Sequence, residues 1–260
     1  MKYYIVDAFT DQLFCGNPAG VCLLDQPLDA DIMQNIAFEN NLSETAFVFK
    51  QDGWYDLKWF TPETEIDLCG HATLASAFVL MNFVDKDMQT VDFETLSGRL
   101  TVRRQDNVYL MDFPARKPVP CAIPSVLEKA LGVRVLETYL SRDMLVLVES
   151  EADVLDLQPD LRLLSEIDGA FAFIVTAKGA ACDFVSRFFA PGAGISEDPV
   201  TGSSHSTLIP FWSARLGKTE MTARQLSHRG GTLYCKDLGD RVEIGGTAAL
   251  YLAGEIISPL

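Results

Sequence analysis

The chain has 260 residues, of which 48% are hydrophobic and 22% charged, a balance that supports a large buried core and argues against disorder. With 36 acidic against 21 basic residues, the formal charge of −15 repels phosphate backbones and anionic lipid, which excludes nucleic acid and membrane surfaces as natural partners. No apolar run reaches the roughly 18 residues of a membrane span, and the opening MKYYIVDAF alternates like a strand, so a cytoplasmic location is expected.

Periodicity predicts strands near 2–9, 20–24, 44–50, 54–60, 90–95, 99–105 and 107–112, with amphipathic helices near 29–40 and 71–83. The stretch PARKPVPCAIP, 114–124, holds four prolines and reads as a linker, because proline donates nothing to a ladder and stiffens an extended path. Beyond it, strands are expected near 134–140, 143–148, 170–176 and 182–189, a helix near 203–215, and strands through 232–236, 240–244 and 248–256.

The two halves resemble each other. Tyr55-Asp56-Leu57-Lys58-Trp59-Phe60-Thr61-Pro62 lies on Phe184-Val185-Ser186-Arg187-Phe188-Phe189-Ala190-Pro191 without a gap, and Ile66 and Ile195 keep the same offset of 129. Three extra residues in the second half then bring Cys69-Gly70-His71 onto Thr201-Gly202-Ser203. The helix-then-strand pieces ADIMQNIAFENNLSETAFVF and PDLRLLSEIDGAFAFIV match more loosely. The pattern predicts an α+β chain of two duplicated domains, 1–114 and 115–260, each a mainly antiparallel sheet wrapped round a central helix starting at His71 or Ser203. The last strand is free to pack back on the first domain.

In each half a strand, a Phe-x-Pro turn and a Gly-containing loop lead into a helix, so unpaired N–H groups and the positive end of a helix dipole would face a common cleft and hold a carboxylate. Such donors also stabilise an enolate, which makes proton abstraction beside a carboxyl group feasible. Other readings stay open: Gly70 as a plain turn residue, Asp198 as a turn former before Pro199, Cys69 as a reactive thiolate or a buried thiol. Glu44 opens an apolar strand, on a face with Ala46 and Val48, where it is either a carboxyl group of raised pKa fit for acid/base work or a strand-edge residue in solvent. Ser203-Ser204-His205 does not make a hydrolase triad, since neighbours on a helix project about 100° apart. His71, His205 and His228 stand far apart in sequence and context, and the six cysteines include no C-x-x-C pair, so no metal site is expected.

The segments VDAFTDQLFCGNPAGVCLL, NNLSETAFV, FTPETEIDLCGHATLASA and SEDPVTGSS, in this order, resemble the PhzF, or phenazine biosynthesis-like, isomerases, which have the diaminopimelate epimerase fold. The resemblance runs over nearly the whole chain. It implies two pseudo-symmetric domains with the active site in the cleft between them, no cofactor, a small carboxylate-bearing metabolite as substrate, and a homodimer. It further implies that Glu44 is the acid/base, that His71, Asp198 and Ser203 join it in catalysis, and that Asn17, Gly70, Thr201 and Gly202 contact substrate. Related epimerases and proline racemases use two cysteines; here Cys69 fills the first position but Thr201 the second, so two-thiol racemisation departs from the pattern. The expectation is therefore a cofactor-independent isomerase, with a Cys-assisted epimerase and a non-catalytic ligand-binding protein as the alternatives.

Overall fold

The structure is a computed structural model that describes residues 1–257. In chain order it contains β1 (Lys2–Ala8), β2 (Asn17–Leu24), α1 (Ala30–Asn40), β3 (Glu44–Lys50), β4 (Tyr55–Phe60), β5 (Glu65–Ile66), α2 (Gly70–Val79), β6 (Thr90–Thr95), β7 (Gly98–Gln105) and β8 (Val108–Pro114). There follow β9 (Val119–Cys121), α3 (Leu127–Leu131), β10 (Glu137–Leu140), β11 (Met144–Leu147), α4 (Glu151–Leu155), α5 (Leu161–Ser165), β12 (Phe173–Lys178), β13 (Phe184–Ala190) and β14 (Ile195–Asp198). Last come α6 (His205–Leu216), β15 (Glu220–Gln225), β16 (Gly231–Asp237), β17 (Arg241–Gly246) and β18 (Ala248–Glu255). Two compact units result: Met1–Asp112 together with the chain from Gly245 onward, and Phe113–Ile244. Residues 258–260, the end of the expected second domain, lie outside the described residues.

In the first unit β1 lies between β2 and β18, antiparallel to both, β2 runs parallel to β3, β3 antiparallel to β4, and β4 parallel to β6. The second unit repeats the scheme: β10 antiparallel to β11, β11 parallel to β12, β12 antiparallel to β13, and β13 parallel to β15. Each sheet is thus mixed and curls round one helix. From Gly70 to Ala77 every residue of α2 is buried, as a helix enclosed on all sides requires, and it packs against β1, β2, β3 and β18. Its small residues admit the strands closely, and its hydroxyls are satisfied internally, Thr73 Oγ1 donating to Cys69 O at 2.5 Å and Ser76 Oγ to Ala72 O at 2.7 Å. α6 is buried likewise from His205 to Ser213 and carries Pro210 in its interior. Proline removes the donor to Ser206 O, and the backbone N–H of Arg116 fills the place at 2.8 Å.

The central helices start at Gly70 and His205 rather than at His71 and Ser203, because Gly202–Ser204 form a preceding turn. The expected linker is partly strand: β9 pairs with β10, Pro120 lying opposite Tyr139. The repeat is also corrected in one place. Trp59 faces Ile66 across the ladder and its match Phe188 faces Asp198, whereas Ile195 faces Ala190. Asp198, not Ile195, therefore takes the place of Ile66, and the extra residues sit in the 3₁₀ turn Pro191–Ala193. The chain returns to the first unit at Gly246, where an added Cβ would lie 2.4 Å from the Phe9 ring and 3.1 Å from Leu74, so only glycine passes.

Candidate active site

Glu44 is the first residue of β3, opposite Ala19 of β2. Thr45, Ala46, Phe47 and Val48 are all buried, so β3 has no wet face for a carboxylate to seek, and the Glu44 side chain is only 12% exposed. It ends beside His71, the second residue of α2, with Oε2 3.1 Å from Nε2; the two are at ion-pair distance but out of line for a hydrogen bond. On the other edge of the ring, Nδ1 lies 3.2 Å from Asn17 Nδ2 and 3.5 Å from Cys69 Sγ. Asn17 is fully buried as the first residue of β2, following Gly16, whose φ of +67° and 2.2 Å approach of a virtual Cβ to Ala8 O explain the Gly-Asn pair. Gly70 is buried at the start of α2, whose N-cap Cys69 makes no side-chain cap, so the first-turn N–H groups are not claimed by a capping oxygen.

Burial pushes the Cys69 thiol up, and Glu44 adds to the rise, so Cys69 is a neutral thiol at neutral pH. For His71 burial works against the charged form, but its interactions with the Cys69 sulfur and the Glu44 carboxyl outweigh it and the imidazole stands well above the ordinary histidine value. Glu44, Cys69 and His71 offer ligand atoms within 4.8 Å of one another. Cys69 addresses Nδ1 and Glu44 addresses Nε2, however, and one ion is ligated through one ring nitrogen, so the two partners flank opposite edges of the ring.

Asp198, Thr201, Gly202 and Ser203 of the second unit form their own cluster. Thr201 Oγ1 donates to Asp198 Oδ2 at 2.5 Å, and Ser204 Oγ donates to Thr201 O at 2.8 Å. Gly202 is buried and Ser203 half-buried. Gln225, which the sequence did not mark, clamps this loop from β15: its Oε1 accepts from Thr201 N at 2.8 Å and its Nε2 donates to Asp198 O at 2.7 Å. The signal was a buried polar residue closing the alternation Met221, Ala223, Gln225. Arg187 fixes the neighbouring strand through a two-pronged ion pair with Glu197, at 2.7 and 3.0 Å. His205 is fully buried, its Nδ1 donating to Thr201 O at 2.9 Å, and burial drives its pKa down to about 4. It matches Thr73 of the first unit, which makes the same bond back to Cys69 O.

A duplicated α+β unit with a sheet curled round a central helix defines the epimerase-like class of folds; a hydroxyproline epimerase from Agrobacterium vitis shares it at a TM-score of 0.63 with 12% identity, over 98% of this chain and 91% of that one. Within that class the chain belongs to the PhzC-PhzF family of phenazine biosynthesis-like proteins, which it matches over residues 6–254. A crystal structure of a PhzF-family phenazine biosynthesis protein from Enterococcus faecalis superposes with a TM-score of 0.97 at 49% identity, covering 99% of both chains. An uncharacterized isomerase of Pseudomonas aeruginosa is 50% identical over 98% of both chains. The human phenazine biosynthesis-like domain-containing protein is 41% identical, over 98% of this chain and 99% of its own. The relatives named as isomerases support the same class of reaction for this chain.

Proposed function

We propose that the protein is a cofactor-independent isomerase that moves a proton between two carbons of a small carboxylate-bearing substrate, with Glu44 as the group that takes and returns it. The observation that carries this reading is the buried contact between Glu44 and His71, 3.1 Å from Oε2 to Nε2. A carboxyl group so enclosed can accept a proton from carbon, and while the electron pair rests in the enolate of the substrate it can hand the same proton to a second carbon. No electrons are gained or lost, so the balance closes with substrate and Glu44 alone. His71, charged, holds the carboxylate in place through Oε2 and leaves Oε1 to the substrate. The uncapped N-terminus of α2 supports binding of the substrate carboxylate. In this reading Asp198 and Ser203 join Glu44 and His71 in catalysis, Thr201 and Gly202 contact substrate, and the raised thiol of Cys69 counts against the Cys-assisted epimerase.

The test is carbon-bound deuterium incorporation in D₂O, with carboxylate metabolites first selected by thermal shift. The parent should exchange, and Glu44→Gln should bind the same compound while exchange falls by about 10²-fold or more. Near-normal exchange in the variant would exclude the role.

A further inference from the structure

We infer that Asn17 is a positioning residue acting through His71: its amide determines which imidazole nitrogen gives up a proton and keeps the remaining hydrogen on Nε2, facing Glu44. The geometry at the ring is asymmetric. A carboxylate's negative charge favours an N–H edge of the ring over a lone-pair edge, so Oε2 of Glu44, 3.1 Å from Nε2 though out of line for a hydrogen bond, favours a hydrogen there. An amide NH₂ can only donate, so Nδ2 of Asn17, 3.2 Å from Nδ1, calls for a bare lone pair there. The neutral ring that satisfies both has its hydrogen on Nε2. Cys69 Sγ, 3.5 Å from the same Nδ1, is compatible, since a thiol is a weak donor.

The placement is built in. Asn17 lies opposite Ala8 in the β1–β2 ladder and is 0% exposed, so the amide is held against His71 by strand pairing and by the tight turn at Gly16. The bearing on catalysis rests on the reading of Glu44 given above. If Nε2 always holds a hydrogen, it cannot take the proton that Glu44 receives from carbon. That proton then leaves Glu44 to the substrate or by direct exchange with solvent, and not through the histidine.

The test uses the full chain labelled with ¹⁵N-histidine, without substrate, and reads the two-bond ¹⁵N–¹H pattern, with His71→Asn to assign the ring. Above its titration midpoint, the parent should show the Nε2–H pattern. Asn17→Asp, which offers an acceptor at Nδ1, should switch the ring to Nδ1–H or raise the midpoint by about one pH unit or more. A parent ring in the Nδ1–H form, or an aspartate variant with unchanged tautomer and midpoint, would overturn the inference. Should Asn17→Asp fail to fold, Asn17→Ala serves instead: a mixture of tautomers supports the assignment, and a pure Nε2–H ring with the parent's midpoint refutes it. These spectra need no turnover, so their outcome is separate from that of the Glu44→Gln exchange experiment.

Discussion

The first and second units share strand order, the parallel pairings and a loop-to-helix turn, yet they differ at each position where the first carries an ionisable group. Thr45 and Phe173 take the same place opposite Phe60 and Phe189, so the residue matching Glu44 is Ala172. Following the same registers, Asn17 matches Ser141, while Cys69 and His71 match Thr201 and Ser203. At these positions the first copy carries Glu44, Cys69 and His71 where the second has Ala172, Thr201 and Ser203, while the acid of the second copy, Asp198, stands where the first has Ile66. The duplication gives two equivalent frames whose side chains differ at the matched positions.

The histidines make the same point from the opposite side. His71 is buried beside a carboxyl group and is pushed up; His205 is buried beside a backbone carbonyl and an aromatic ring, Phe184, and is pulled down. Burial acts in the same direction on both, so the neighbouring charge decides the outcome.

Four experiments would break or sharpen this contrast. Glu44→Gln should cost about 10²- to 10⁴-fold in carbon exchange, whereas variants at Ala172 should leave no comparable mark on the exchange of correctly folded protein; equal sensitivity in both copies would end the division of labour. Next in size is the acid response of His205. Its folded value of about 4 lies below the ordinary 6.5, so its contribution to stability is complete above pH 6.5 and is lost as pH falls towards 4, by up to about 3 kcal/mol. Urea unfolding of parent and His205→Gln across that window should show the parent with the steeper fall; parallel curves would contradict the buried neutral ring. His71 should behave inversely. Raised above its unfolded value, it stabilises fully below pH 6.5, and the advantage of parent over His71→Asn should shrink as pH climbs through the raised value. The same His71→Asn variant should slow exchange about 10- to 10²-fold, since Glu44 loses the contact that orients it. Smallest is Cys69→Ala, expected to keep exchange within about tenfold of the parent, a barrier change of no more than about 1.4 kcal/mol; abolition with binding intact would restore the thiol mechanism.

Much of this contrast is legible in the sequence, and its limits have physical causes. The Gly-Asn, Glu44 and Cys-Gly-His segments stand out because each breaks an apolar pattern, and the matched Phe-x-Pro stretches disclose the repeat before any strand is paired. Helices α3 and α4 escape because five residues are too few for a helical period; their signals are end groups instead, such as the Ser150–Asp153 capping box and Gly132 at φ +70°. The position of the extra residues near Ile195 was misread because one shared isoleucine is weaker evidence than ladder register. Neither the Asn17–His71 contact nor the Gln225 clamp can be read from spacing, since each joins residues from separate elements.

The return of the last strand has a consequence for how the protein is made. β1 precedes the second unit in the chain, but one of its two neighbours, β18, is encoded after the whole of that unit. The first unit therefore cannot complete its sheet until the whole second unit has been translated, whereas Phe113–Ile244 needs no later segment. Folding order thus inverts sequence order, and a nascent chain stalled before Gly246 leaves the edge of β1 open to foreign strands.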